Sequence, residues 1–149
     1  MITLPDQPLA ERILRAVVLR EPPAQQLMLF GPPGTGKRHA AREVAWALMD
    51  PSGEHPRTAE ALDLEEALAQ IAARPSVLAR RVMIVHGAER LRDEDGAPRL
   101  LKTLEEPPPR SHLTLVTDPP SDVIDTIRPR CLPVPCRAPG WRVIARHLE

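Results

Sequence analysis

The chain has 149 residues, and its 20 Lys+Arg balance 20 Asp+Glu to a formal net charge of zero. That length is one domain's worth and can bury roughly 68–70% of the surface the unfolded chain exposes. A hydrophobic share of 42% with 27% charged residues is ordinary for a soluble globular protein, whereas the neutral balance excludes a uniformly basic nucleic-acid coat while allowing a local basic face. No apolar run approaches the ~18–20 residues that span a bilayer. The start, Met1 to Arg12, carries prolines and acids where a secretory signal needs a basic start and an apolar stretch, so a cytoplasmic location is expected. Proline, at 19 residues, exceeds twice the usual ~5%. All but two of the bases, Lys37 and Lys102, are arginine. Both biases read as the mark of GC-rich coding.

In chain order, Leu9, Ile13, Leu14, Ala16 and Val17 recur at helical spacing and predict an amphipathic helix over Leu9–Leu19, ended by Glu21-Pro22-Pro23. Leu27–Phe30 is a short apolar run stopped by glycines, as in a buried parallel strand. Ala41, Val44, Ala45 and Leu48 form one face of a helix over Lys37–Met49. Asp50–Thr58 reads as a polar turn region and Ala59–Ala73 as a third helix. Val82–Val85 is a second buried strand, and Asp93–Glu105 a helix stopped by Pro107-Pro108-Pro109. Leu113–Thr117 is a third strand and Asp122–Ile127 a short helix. Leu132-Pro133-Val134 suits an edge strand, where proline is tolerated, and a last helix begins at Gly140. Strands and helices alternating at this rhythm predict an α/β domain, a parallel sheet covered on both faces. Ligands in such sheets sit at the carboxyl ends of the strands.

The first strand leads into Gly31-Pro32-Pro33-Gly34-Thr35-Gly36-Lys37, which matches a P-loop. Glycines let backbone N–H groups turn inward around phosphate oxygens, the following helix adds its positive end, and the lysine reaches the terminal phosphates. The eighth position, where a Ser or Thr hydroxyl ligates Mg²⁺, is Arg38, and a guanidinium repels a cation. The strand that ordinarily ends in a metal-organising Asp ends instead in His86-Gly87. Glu89, two residues on, is a solvated loop charge or a substitute. A phosphate cradle without metal-handling groups predicts weak, metal-independent binding of ATP or ADP and little or no hydrolysis. Cys131 and Cys136 are too few for a disulfide framework or a four-cysteine zinc site, and His55, His86, His112 and His147 are scattered. Only Phe30, Trp46 and Trp141 are aromatic, which argues against stacking on single-stranded nucleic acid as the main activity.

Leu100-Leu101-Lys102-Thr103-Leu104-Glu105-Glu106-Pro107-Pro108, Thr117-Asp118-Pro119 and Ile127-Arg128-Pro129-Arg130-Cys131 resemble segments of bacterial clamp-loader subunits. With the P-loop, the likeness runs from about Leu9 to Val134. Degenerate nucleotide motifs point within that family to the delta-prime type of the DNA polymerase III holoenzyme, related to tau/gamma. The resemblance implies an AAA+ fold, partners among the other loader subunits (tau/gamma and delta), and the sliding clamp and primed DNA reached through the assembly, with no membrane. It implies a non-hydrolysing stator whose Arg130 is an arginine finger for a neighbour's ATP site, and places Thr117 at the sensor 1 position. Without it, Arg130 is a solvated arginine and Thr117 a strand-terminal threonine. Gln7 falls near where the family's N-terminal segment approaches the adenine.

Pro129 replaces the family's serine before Arg130. The absence of cysteine from Asp50–Thr58 predicts no zinc module. The length corresponds to a single AAA+ domain over residues 1–149, without the lid and collar of a full subunit. Two glutamates at a helix carboxyl end, Glu105 and Glu106, oppose the helix dipole, a local conflict that suits a functional position. Two enzymatic alternatives are an ATP-hydrolysing tau/gamma-like subunit and a P-loop nucleotide kinase. A direct DNA-binding module is a further alternative, for which no recognition helix or basic stripe stands out.

Overall fold

In the computed structural model, residues 2–53, 80–90, 97–119, 123, 125–140, 142 and 145–146 are described. The elements in order are α1 (Pro8–Leu19), β1 (Gln26–Phe30), α2 (Lys37–Met49), β2 (Arg81–His86), α3 (Ala97–Glu105), β3 (Ser111–Thr117) and β4 (Leu132–Pro135). The four strands form one parallel sheet in the order β2-β3-β1-β4. The helix expected over Ala59–Ala73, the start of the one expected from Asp93 and much of the one expected from Gly140 lie outside the described residues.

Alternation along the strands sorts the core onto two faces, as the two-residue period of a strand requires. Leu27, Leu29, Ile84 and Val116 face α1 and α2, meeting Leu14, Val17, Ala41, Val44 and Leu48. Met28, Met83, Val85, Leu113 and Leu115 face the other way, against Leu100 and Leu104 of α3 and against Val123, Ile127 and Cys131. The result is an α/β domain with a parallel sheet flanked by helices. All seven residues of β3 are buried, as befits an inner strand. Ile2 and Leu4, which no periodicity singled out, also enter the α1–α2 face. Their segment is held by Leu4 N donating to Glu11 Oε2 and Arg15 Nε donating to the Ile2 carbonyl, each at 2.8 Å.

The edge position of β4 agrees with its prolines: among the described strands it pairs only with β1. One expectation fails. Of Asp122–Ile127, the described residues Val123 and Asp125–Ile127 form a bend and a turn, and a 3-10 turn follows at Arg128–Arg130. Six residues are too few to hold a helix by propensity alone, and four of these, Val123, Ile124, Thr126 and Ile127, are β-branched.

Candidate functional site

β1 leaves the sheet between its two neighbours. Gly31 N donates to the Asp118 carbonyl at 2.9 Å, and Cys136 N donates to the Phe30 carbonyl at 2.7 Å. A Cβ on Gly31, whose φ is 155°, would stand 2.0 Å from the Cys136 carbonyl oxygen. Only glycine passes through that gap. The loop then turns to Gly36, the N-cap of α2, with φ of 81°. Thr35 is buried, and its Oγ1 donates to the Pro32 carbonyl at 3.0 Å. Gln7, also buried, fastens the loop from outside: its Nε2 donates to the Thr35 carbonyl at 3.0 Å and to the Arg137 carbonyl, while Arg137 N donates to its Oε1 at 2.9 Å. Gln7 therefore joins the N-terminal segment, the loop and the chain beyond β4.

The loop opens onto a cleft of about 370 Å³ at the carboxyl ends of the strands. Residues 33–38 line it, with His86, Gly87, Glu89 and Arg90 after β2 and Val116–Asp118 at the end of β3. Thr117 is buried beside the loop, in register with Phe30, and its Oγ1 donates to the Pro119 carbonyl at 3.3 Å. Lys37 is the first residue of α2 and only 7% exposed. Its ammonium donates to the carbonyls of Gly31 at 2.7 Å and Pro32 at 2.8 Å, and pairs with Asp118 Oδ1 at 2.8 Å. Pro33 to Arg38 and Thr117 thus line one cleft, and Gly31 and Pro32 meet it through their carbonyls on the Lys37 ammonium.

The field in the cleft is positive. Lys37, Arg38 and Arg90 line it against Glu89 and Asp118, and Asp118 is engaged by Lys37. The Arg90 guanidinium lies over Gly87, 2.7 Å from where a Cβ would stand. His86 is held below the ordinary imidazole range by burial, and further by the Arg38 and Arg42 guanidinium groups. Its Nδ1 and Glu89 Oε2 are buried without hydrogen-bond partners. Loop amides, a helix N-terminus and three cations suit a phosphate group. A divalent cation fits poorly, because Arg38 stands where a hydroxyl ligand is needed and β2 ends without a carboxylate. Among the described residues, no cluster of three or more His, Cys, Asp or Glu side chains could hold a metal ion.

Arg130 lies elsewhere. Leu27 pairs with Leu132 in the parallel β1–β4 ladder, so the turn before β4 is at the amino edge of the sheet, opposite the loop. The side chain is exposed: Nη1 donates to the Thr126 carbonyl at 2.6 Å and Nη2 pairs with Glu105 Oε1 at 2.8 Å. Asp118, Arg90 and Glu105 were not assigned contacts by sequence reasoning. The Thr117-Asp118-Pro119 segment and the acidic end of α3 were the available signals for two of them; nothing marked Arg90.

A family model described as DNA polymerase III, delta subunit, matches residues 53–139, more than half of the chain. The chain belongs to that family. Its fold is shared with a DNA polymerase III gamma subunit-related protein of Thermotoga maritima, at 22% identity and a TM-score of 0.64 over 89% of this chain and 47% of that one. It is shared also with the Bacillus subtilis DNA clamp loader delta protein, at 12% identity and a TM-score of 0.60 over 85% and 42%. A RuvB mutant of Thermotoga maritima matches at 19% identity and a TM-score of 0.57 over 86% and 43%. The chain spans less than half the length of each of these structures. No curated protein matches it.

Proposed function

We propose that this chain is a delta-prime-type clamp-loader subunit of a DNA polymerase III holoenzyme, a stator that does not hydrolyse ATP itself and lends Arg130 to a neighbour's ATP site. The observation that carries this reading is the placement of the cradle and Arg130 at opposite ends of the parallel strands. An arginine on the far edge cannot serve the chain's own phosphates, whereas a head-to-tail neighbour could present its site there. The guanidinium would neutralise charge growing on the transferred phosphoryl group, the role of an arginine finger supplied in trans. The chain's own loop supports the same division of labour. Backbone amides and Lys37 would hold phosphates, but Arg38 and His86-Gly87 offer neither the hydroxyl nor the carboxylate that would organise a metal and water.

Within this reading the partners are tau/gamma and delta subunits, with the sliding clamp and primed DNA reached through the assembly. The test is a loader reconstituted from all its subunits. This chain alone should release no phosphate from ATP with or without Mg²⁺. Arg130→Ala should lower the assembled loader's ATPase by about 10³-fold at the affected site while assembly persists. Steady magnesium-dependent turnover by the chain alone would favour the tau/gamma-like alternative.

A further inference from the structure

We propose that Asp118 is the resident counter-ion of the phosphate loop: it occupies Lys37 when no ligand is bound, and an incoming nucleoside diphosphate, triphosphate or pyrophosphate must displace it. The inference rests on reading the loop as a phosphate site. An ammonium group has three N–H donors, and Lys37 has three oxygen partners, at 2.7 Å (Gly31 carbonyl), 2.8 Å (Pro32 carbonyl) and 2.8 Å (Asp118 Oδ1). No donor is left over for a ligand. The two carbonyls belong to the loop, and the Asp118 main chain is fixed by the Gly31 N–H on its carbonyl. The Asp118 side chain is different. It is 46% exposed, against 7% for Lys37, so its carboxylate can rotate into water with little desolvation cost.

A phosphate oxygen and the Asp118 carboxylate therefore compete for one donor of Lys37. The displaced carboxylate still lines the cleft and repels a polyanion. Both effects weaken binding. Arg38 and Arg90 line the same cleft and make no ion pair among the described residues, so they supply positive charge that ordinarily comes with Mg²⁺. The affinity that results is metal-independent and set by Asp118.

The test is calorimetric titration of the whole chain with ADP and with inorganic pyrophosphate, in EDTA at low salt, for wild type, Asp118→Asn and Lys37→Met. Asp118→Asn should tighten binding about tenfold, the scale expected for removing one competing and repelling charge in a half-exposed site. Lys37→Met should abolish binding. Equal affinities for wild type and Asp118→Asn, or weaker binding by the variant, would overturn the role of Asp118 and leave the loop a phosphate site. Binding by none of the three would overturn the phosphate reading and the inference with it. An independent readout is the side-chain ammonium resonance of Lys37, since the chain has only one other lysine, Lys102, as an internal reference. Asp118→Asn should shift the Lys37 signal and leave Lys102 unmoved; a Lys37 signal unchanged by the variant would count against the pairing.

Discussion

Glu105 Oε1 and Arg130 Nη2 lie 2.8 Å apart, joining the last residue of α3 to the turn before β4 across 25 positions of sequence. The pair accounts for an acid at a helix end where the dipole disfavours one. Both side chains are more than a third exposed, so solvent screening leaves the pair under about 1 kcal/mol of stability. Glu105→Gln should therefore shift the midpoint of urea denaturation very little. If Arg130 serves a neighbour's ATP site as proposed, Glu105→Gln should lower a reconstituted loader's ATPase severalfold, far less than Arg130→Ala, because the arginine remains but loses one of its two tethers. Equal losses from the two variants would mean that Glu105 does more than orient its partner.

Gly31→Ala should destabilise the domain by about 3 kcal/mol or more, the range of substitutions that break special backbone geometry. The added Cβ would stand 2.0 Å from the Cys136 carbonyl oxygen, and backbone on both sides is tied into the β1 exit. Urea denaturation of the variant measures this directly. A loss under about 1 kcal/mol would show that the β1–β4 junction gives way easily.

The regular elements were legible because their signals are local. Lys37–Met49 has an apolar face, a glycine before it and a polar turn after it, and α2 has those bounds. Strands read from apolar runs came out short, because Arg81, His86, Ser111 and His112 extend β2 and β3. His112 is buried through a 2.9 Å contact between its Nδ1 and the Ala24 carbonyl, a tertiary relationship that no periodicity announces. The cradle was legible because its loop is contiguous in sequence. The Gln7–Arg137 link, the Arg90 guanidinium over Gly87 and the Glu105 partner of Arg130 join residues through folding alone or through a turn of unsignalled shape.

Burial pushes the Cys131 thiol up to about 12, and burial also raises Cys136, with Lys37 opposing in part. The nucleophile in alkylation is the thiolate, so both cysteines should react with iodoacetamide far more slowly in the native chain than in urea. Mass spectrometry after a short pulse at neutral pH checks this. Rapid native labelling of Cys131 would mean that the face under α3 opens readily.

Acid should destabilise the fold. His112 is held below its ordinary value of 6.5, chiefly by burial and further by the Arg80 guanidinium, with the Ala24 carbonyl opposing. His86 is lowered as well. As pH falls through about 6.5, the unfolded chain takes up protons that the folded chain resists, so stability is lost as pH falls from that value toward the folded one. The thermal midpoint should fall between about pH 7.5 and about pH 5.5. His112→Gln, which can still donate to the Ala24 carbonyl, should fall less over the same interval. Parallel curves for the two proteins would remove His112 from the account.

The prolines of β4 decide which backbone groups its outer edge presents. Successive residues of a strand point their N–H groups to opposite edges, and Cys136, just past β4, donates inward to β1. Val134 and Leu132 share that direction, so Pro133 and Pro135 occupy the outward positions, where neither has an N–H to offer. The rim of this strand away from β1, which no described strand pairs with, carries carbonyls alone and cannot template a further strand. Concentrated samples should therefore resist stacking along this edge, and Pro133→Val with Pro135→Val should introduce concentration-dependent association visible by light scattering.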